Sequence, residues 1–259
     1  MNSKDSVETL QADKLIIRIY SDRETMGRQA AVEVSNKIKT LLSKQDNVRM
    51  IFAAAPSQSE FLSRLSEING IDWSRITAFH MDEYIGLTQN AEQLFGNYLN
   101  ERIFNKINFE KVHYINSNPE SLDGECGRYS ALIDKAPIDI VCLGIGENGH
   151  LAFNDPHSAD FDDPRLVKVV ELDELCRQQQ VNDKCFSLLE DVPERAITLT
   201  IPALISAGSL FIVVPGGQKA NAVYDTVNGE IKTGCPASIL RKHKNALLFL
   251  DRDSASKLI

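Results

Sequence analysis

Short apolar runs rich in Ile, Val and Phe alternate along this chain with segments whose apolar residues recur every three or four positions. Runs of the first kind lie at 14–20, 48–55, 76–79, 112–115, 138–143, 195–201, 210–214 and 246–250. Between them, Met26, Ala30, Val34, Ile38 and Leu41 follow Asp22 at helical spacing, with that aspartate placed to cap the turn. Phe61, Leu62, Leu65 and Ile68 repeat the pattern, as do Leu94, Phe95, Tyr98, Leu99 and Ile103, and then Leu122, Cys126, Tyr129 and Ile133. A strand buried on both faces reads as a continuous apolar run, and parallel strands need a crossover helix between them. The alternation therefore predicts an α/β fold: a single doubly wound, mostly parallel sheet with helices on both faces, Rossmann-like in layout. No repeat and no linker-like change of composition interrupts it. Residues 14–259 are expected to be one α/β domain behind a polar lead-in at 1–13, and the acidic stretch 156–185, with prolines at 156 and 164, is expected to be loop.

Charge and cysteine content narrow the function classes. The 259 residues carry a formal net charge of -8, which argues against general nucleic-acid binding. An anionic ligand would have to be drawn in by a few placed cations and helix N-termini. The polar start lacks the layout of a secretory signal, and no apolar run approaches bilayer length. Five cysteines without a C-x-x-C spacing read as reduced thiols of a cytoplasmic protein.

In a sheet of this kind ligands bind beyond the carboxyl ends of the strands. Two of those ends carry chemistry. The run at 138–143 breaks on Gly144, Gly146 and Gly149 and delivers Asn148, His150 and Asp155. The glycines spell G-x-G-x-x-G, but a dinucleotide site also needs a helix opening from the motif, and Leu151 to Pro156 leaves no room for one. The run at 76–79 leads directly into His80-Met81-Asp82-Glu83-Tyr84. Asp82 from one strand end and His150 from another make the pair that general acid–base catalysis requires. His80, Asp82, His150, Asp155 and His157 are also metal-ligand types, but their spacings match none of the usual zinc patterns. Ser57-Gln58-Ser59-Glu60 supports two readings equally. Ser57 and Glu60 have capping-box spacing, and the hydroxyls of Ser57 and Ser59 could instead hold an anion. Lys219, after Gly216 and Gly217, is either a cation for phosphate or a solvated lysine.

Phe79-His80-Met81-Asp82-Glu83-Tyr84-Ile85-Gly86-Leu87, together with Gly144-Ile145-Gly146-Glu147-Asn148-Gly149-His150-Leu151-Ala152-Phe153-Asn154-Asp155-Pro156, resembles the glucosamine-6-phosphate deaminase family, which shares its fold with 6-phosphogluconolactonases. Met-Asp-Glu-Tyr with Gly86 favours the deaminase branch. The resemblance implies aldose–ketose isomerisation of a hexosamine 6-phosphate with hydrolytic loss of ammonia, without metal or organic cofactor. The implied partner is a small sugar phosphate, with no nucleic acid or membrane, and oligomers in some members. It also implies roles: Asp82 as the base between C2 and C1, His150 as the acid that opens the sugar ring, and Asp155 as the carboxylate that orients the histidine. Gly149 falls in the substrate loop, the 56–60 turn (Ser57, Gln58, Ser59) matches the phosphate loop, and Lys219 matches a phosphate-binding lysine.

The chain departs from that pattern in several places. Asn148 stands where the family has Asp, Asp155 where it has Glu, and Pro56-Ser57-Gln58-Ser59 where it has Thr-Gly-Gly-Thr. The family's phosphate-binding arginine falls near Gln179 or Gln180, with Arg177 close enough to replace it if the backbone shifts. Loss of one charged contact to phosphate removes about 1.5–3 kcal/mol. A lactonase, or a sugar-phosphate binder without catalysis, is the alternative to a deaminase.

Overall fold

A computed structural model describes residues 8–259. β1 (Glu8–Ala12) and β2 (Leu15–Tyr20) pair as an antiparallel hairpin. The helix α1 (Arg23–Leu42) follows, started by the Asp22 carboxylate, which accepts from the Thr25 amide at 2.7 Å. Such a cap contributes about 1 kcal/mol, because that amide has no partner inside the helix. Next come β3 (Val48–Phe52), α2 (Ser59–Glu67), β4 (Ile76–His80), β5 (Asp82–Tyr84) and α3 (Phe95–Leu99), which runs on as a π-helical turn over Asn100–Phe104. The middle of the chain forms β6 (Lys111–His113), α4 (Leu122–Asp134), β7 (Ile140–Leu143), β8 (Val167–Glu171) and α5 (Glu174–Asn182). It closes with β9 (Arg195–Leu199), α6 (Ile201–Ile205), β10 (Ser209–Val214), α7 (Ala220–Asn228) and β11 (Ala246–Asp251).

The main sheet has the order β1-β2-β11-β10-β7-β3-β4-β6, and every pairing in it except β1–β2 is parallel. Both faces are covered. Ile51, Val141, Ile212 and Leu248 pack on the side of α4, α6 and α7, while Met50, Cys142, Val213 and Phe249 pack on the side of α1 and α2. The apolar runs in the sequence are the direct result of this two-sided burial, worth roughly 1.5–3 kcal/mol for each large side chain. The chain winds outward from β3 through β4 to β6, then crosses back to lay β7 on the far side of β3. The winding reverses between β3 and β7, and in such sheets the crevice at the reversal is where ligands bind.

The doubly wound, mostly parallel sheet is as the sequence predicts, with three differences. First, β9 is not in the main sheet; β5, β9 and β8 form a separate antiparallel sheet of three strands. Second, 156–185 is not all loop but carries β8 and α5. Lys168 disguises β8, because its buried ammonium is paired with Asp163 at 3.2 Å. The face that α5 buries is Cys176, Gln179 and Gln180, so no apolar stripe announces the helix. Third, residues 8–12 of the expected lead-in form β1, an edge strand with exposed side chains; the rest of that lead-in lies outside the described residues.

Candidate active site

The carboxyl ends of β3, β4, β7 and β10 converge at the reversal. The turn after β3 brings Ser57 and Gln58, the step from β4 into β5 brings Met81 and Asp82, the loop after β7 brings Gly144, Gly146 and His150, and the turn after β10 brings Lys219. They enclose a cavity of about 60 Å³, which α5 closes with Gln179 and Gln180. A cleft of about 660 Å³ shares Ala54, Ala55, Phe95 and Gln180 with it, which makes the cleft an outer vestibule.

Asp82 is 6% exposed. Burial, and then the neighbouring Glu83 charge, push its carboxyl well above the ordinary carboxylate range. Once ionised, such a group is a stronger base than a surface aspartate. His150 lines the same cavity from a loop shaped around its ring. The Gly146 amide donates to the His150 carbonyl at 3.0 Å, and a Cβ on Gly146 would lie 2.2 Å from the imidazole. Only glycine lets the ring lie flat there. Nδ1 of His150 stands 3.1 Å from Asp155 Oδ1, within ion-pair reach though off the line of a straight hydrogen bond.

Asp155 and Asn148 do not line the cavity; they stand behind the histidine. The Asn148 amide donates to Asp155 Oδ1 at 3.0 Å and to Asp173 Oδ2 at 3.1 Å, while its Oδ1 accepts from the His150 amide at 3.1 Å. Asp173 closes the network, donating its backbone N–H to Asp155 at 3.3 Å and capping α5 through the Cys176 amide at 2.6 Å. Burial alone would raise the Asp155 carboxyl, but the His150 ring and the Asn148 amide hold it below its ordinary value.

Ser57 and Gln58 line the cavity, but no capping box forms: the helix begins at Ser59 without a side-chain cap, and Glu60 pairs with Arg23 at 2.7 Å. Gln58 donates to the Val213 carbonyl at 3.0 Å, which fixes its amide, and leaves Oε1 buried without a partner. Ser59 is not part of the cavity wall, and its hydroxyl is bonded to Tyr98 at 2.9 Å. Gly149 likewise lies outside the cavity wall. Its φ of +83° makes the turn, its carbonyl accepts from Ala237, and a Cβ there would lie 2.9 Å from the Cys235 sulfur. Lys219 is no solvated lysine: it is 6% exposed, and burial lowers its pKa.

Arg177 does not replace the missing arginine, since its guanidinium donates to the carbonyls of Leu189 and Val192. Gln179 and Gln180 themselves occupy the cavity wall, and Gln179 accepts from the Glu147 amide at 2.9 Å. The family resemblance brings the phosphate-binding position to these two glutamines, but the expected loop over 156–185 hides the helix that sets them in the wall. Ligand-type atoms of His150, Asp155 and Cys176, and of Asp155, His157 and Asp173, lie within 4.8 Å of one another, so these groups could hold a metal. Both would draw on Asp155, whose oxygens already serve His150, Asn148 and Asp173.

Residues 21–249 match the model of a family described as glucosamine-6-phosphate isomerases/6-phosphogluconolactonase. A glucosamine-6-phosphate deaminase of Bacillus cereus (strain B4264) is 32% identical over 219 residues, 85% of this chain and 81% of that protein. A structure of a monomeric glucosamine-6-phosphate deaminase superposes with a TM-score of 0.86 at 28% identity, covering 93% of this chain and 98% of the other. A 6-phosphogluconolactonase from Thermotoga maritima has the same fold, with a TM-score of 0.76 at 20% identity over 92% of this chain and all of the other.

Proposed function

The chain belongs to the family of glucosamine-6-phosphate isomerases and 6-phosphogluconolactonases, and from that premise we propose that it is an enzyme converting a hexosamine 6-phosphate to a ketose 6-phosphate and ammonia. The observation that carries this reading is that Asp82 and His150 line one cavity at the sheet's reversal. His150 gives a proton to the ring oxygen as the sugar opens. Asp82, ionised, removes the proton from C2 of the open aldose and returns it to C1. The C2 imine so formed adds water and releases ammonia. Proton transfers of this kind contribute about 10²–10⁴-fold each. Asp155 and Asn148 hold the imidazole and act through it.

At the far end of the sugar, Lys219 is the single lysine or arginine in the wall, and it stands with Ser57, Gln58, Gln179 and Gln180. That set favours a ligand bound mainly through neutral hydrogen bonds, so the phosphate contributes less to affinity than a second cation would allow. A cytoplasmic place accords with the reduced cysteines read from the sequence and with relatives named as glucosamine-6-phosphate deaminases. Among the described residues no helix is long and apolar enough to cross a membrane.

The test is a panel of amino sugars and their 6-phosphates scored for ammonia and ketose together, with and without chelator. Ammonia and ketose appearing in equal amounts, and lost in Asp82→Asn, is the expected result. Lactone hydrolysis that survives Asp82→Asn without ammonia release would assign the chain to the lactonase branch. Tight binding with no turnover of any panel member would make it a sensor.

A further inference from the structure

Neighbouring residues of a strand face opposite ways, so Asp82 and Glu83 of β5 point to different sides. Asp82 enters the cavity, whereas Glu83 turns toward the start of α3 and is 2% exposed. Its carboxylate is fully engaged there. Oε1 accepts from the amides of Tyr84 and Phe95, both at 3.0 Å, and Oε2 accepts from the amide of Gly96 at 2.9 Å. His80 Nδ1 lies 4.0 Å from Oε2. His80 Nε2 accepts from the Ile115 amide at 2.7 Å, so the proton of this neutral ring is on Nδ1, facing Glu83.

What these bonds hold matters for the cavity. The ring of Phe95 is part of the cavity wall and stacks on Phe153, another wall residue, with centroids 5.5 Å apart. Later in α3, Tyr98 donates to the Ala55 carbonyl at 2.8 Å and meets Ser59 at 2.9 Å, so α3 also braces the turn that presents Ser57 and Gln58. At Gly96 a Cβ would stand 3.2 Å from the Tyr114 ring and 3.5 Å from Glu83 Oε2, a closeness that suits glycine.

We infer that Glu83 is a positioning residue for proton transfer at Asp82, tying the base's strand to Phe95 and the 55–59 turn and, when ionised, placing a negative charge behind the base. This rests on the reading of Asp82 as that base. When Glu83 is ionised its charge raises the proton affinity of Asp82, in the same direction as burial does; burial lifts the Glu83 carboxyl itself to about 7, against the pull of its three amide hydrogen bonds. The other titratable and charged groups around the pair include His80 and Tyr129, with Arg128 beyond them, Tyr84 with Cys176 and Cys185, Tyr114 across Gly96, and His150 and Lys219 in the cavity wall. Burial holds His80 neutral, with a pKa of about 3, so it does not cancel the Glu83 charge.

Glu83→Gln removes the charge and sets an amide donor against at least one backbone N–H, whereas Glu83→Asp keeps the charge and shortens the reach. The proton affinity of Asp82 can be read from its carboxyl carbon by NMR against pH, which requires no turnover. Glu83→Gln is expected to move that midpoint to lower pH by on the order of one unit, and Glu83→Asp to leave it in place. With substrate, kcat should fall on the order of tenfold or more in both variants, because the wall is displaced in both, with the acid limb of the rate profile shifted only in Glu83→Gln. If Glu83→Gln does not fold, Glu83→Asp still decides: a lowered kcat with an unmoved midpoint supports the inference, and wild-type kcat overturns it. An unmoved midpoint together with unchanged kcat in Glu83→Gln also overturns it. Full activity of Asp82→Asn would instead overturn the assignment of the base, and the midpoint comparison would still report on the Glu83 charge.

Discussion

Asp82 lies where a carboxylate ionises least readily, and this links catalysis to stability. In the unfolded chain it loses its proton near the ordinary carboxylate pH, while the folded chain holds the proton to higher pH. Across that window the folded state binds more protons, so stability falls as pH rises through it, and above the raised pKa the loss is complete. Asp82→Asn removes this titration. It is expected to melt at a higher temperature than the wild type near pH 8, while turnover drops by about 10²–10⁴-fold; calorimetry and ammonia release measure the two effects. Asn148 is constrained differently. Its amide hydrogens go to two carboxylates, Asp155 and Asp173. The aspartate that the family resemblance leads one to expect at 148 would have no hydrogens to give and would add a third negative charge. Asn148→Asp is therefore expected to cost about 2–3 kcal/mol in urea denaturation at neutral pH, with part regained in acid. The departure visible in the sequence is explained by Asp173, a partner 25 positions away that sequence spacing does not reveal.

Among the elements, α5 carries the most function with the least sequence signal. Its buried positions are mostly polar, and its register depends on Asp173, which caps it and also touches the Asn148–Asp155 network behind His150. Asp173→Ala should lose about 1 kcal/mol of capping and let Gln179 and Gln180 move. The expected kinetic result is a higher KM with a smaller change in kcat, read from initial rates, and a global melting temperature only slightly reduced. By contrast, α1 was fully legible: Met26, Ala30, Val34 and Ile38 are buried as their spacing predicts, and Asp22 caps as expected. The difference is physical. Hydrophobic periodicity reports a helix that buries an apolar stripe, and it is silent about one held by a cap and by amides.

For the whole molecule, the main sheet could be read from sequence because two-sided burial forces apolar runs, and Asp82 and His150 could be placed because both follow such runs directly. The small sheet could not, because β5 has three residues, Asp82–Tyr84, two of them acidic, and β8 hides a buried lysine. At the other edge, β1 pairs only with β2 and is mostly exposed, far along the strand order from the cavity. A chain shortened through Ala12 is expected to keep wild-type kcat but to melt a few degrees lower. With the β2 edge uncovered it should also self-associate, as size-exclusion chromatography would show.

A single residue, Met81, separates β4 of the large sheet from β5 of the small one. Asp82 therefore rides on one sheet, while Ser57, Gln58, His150 and Lys219 hang from the other. Their spacing is a property of how the two sheets are seated: one face of the small sheet, through Val167, Ile197 and Leu199, belongs to the main core, and the other rests on a modest cluster around Tyr84, Phe153 and Phe186. On warming, that smaller cluster should loosen before the shared core melts. Activity would then fade at temperatures where circular dichroism still reports a folded chain, and the interval between the two curves would measure the stiffness of the joint.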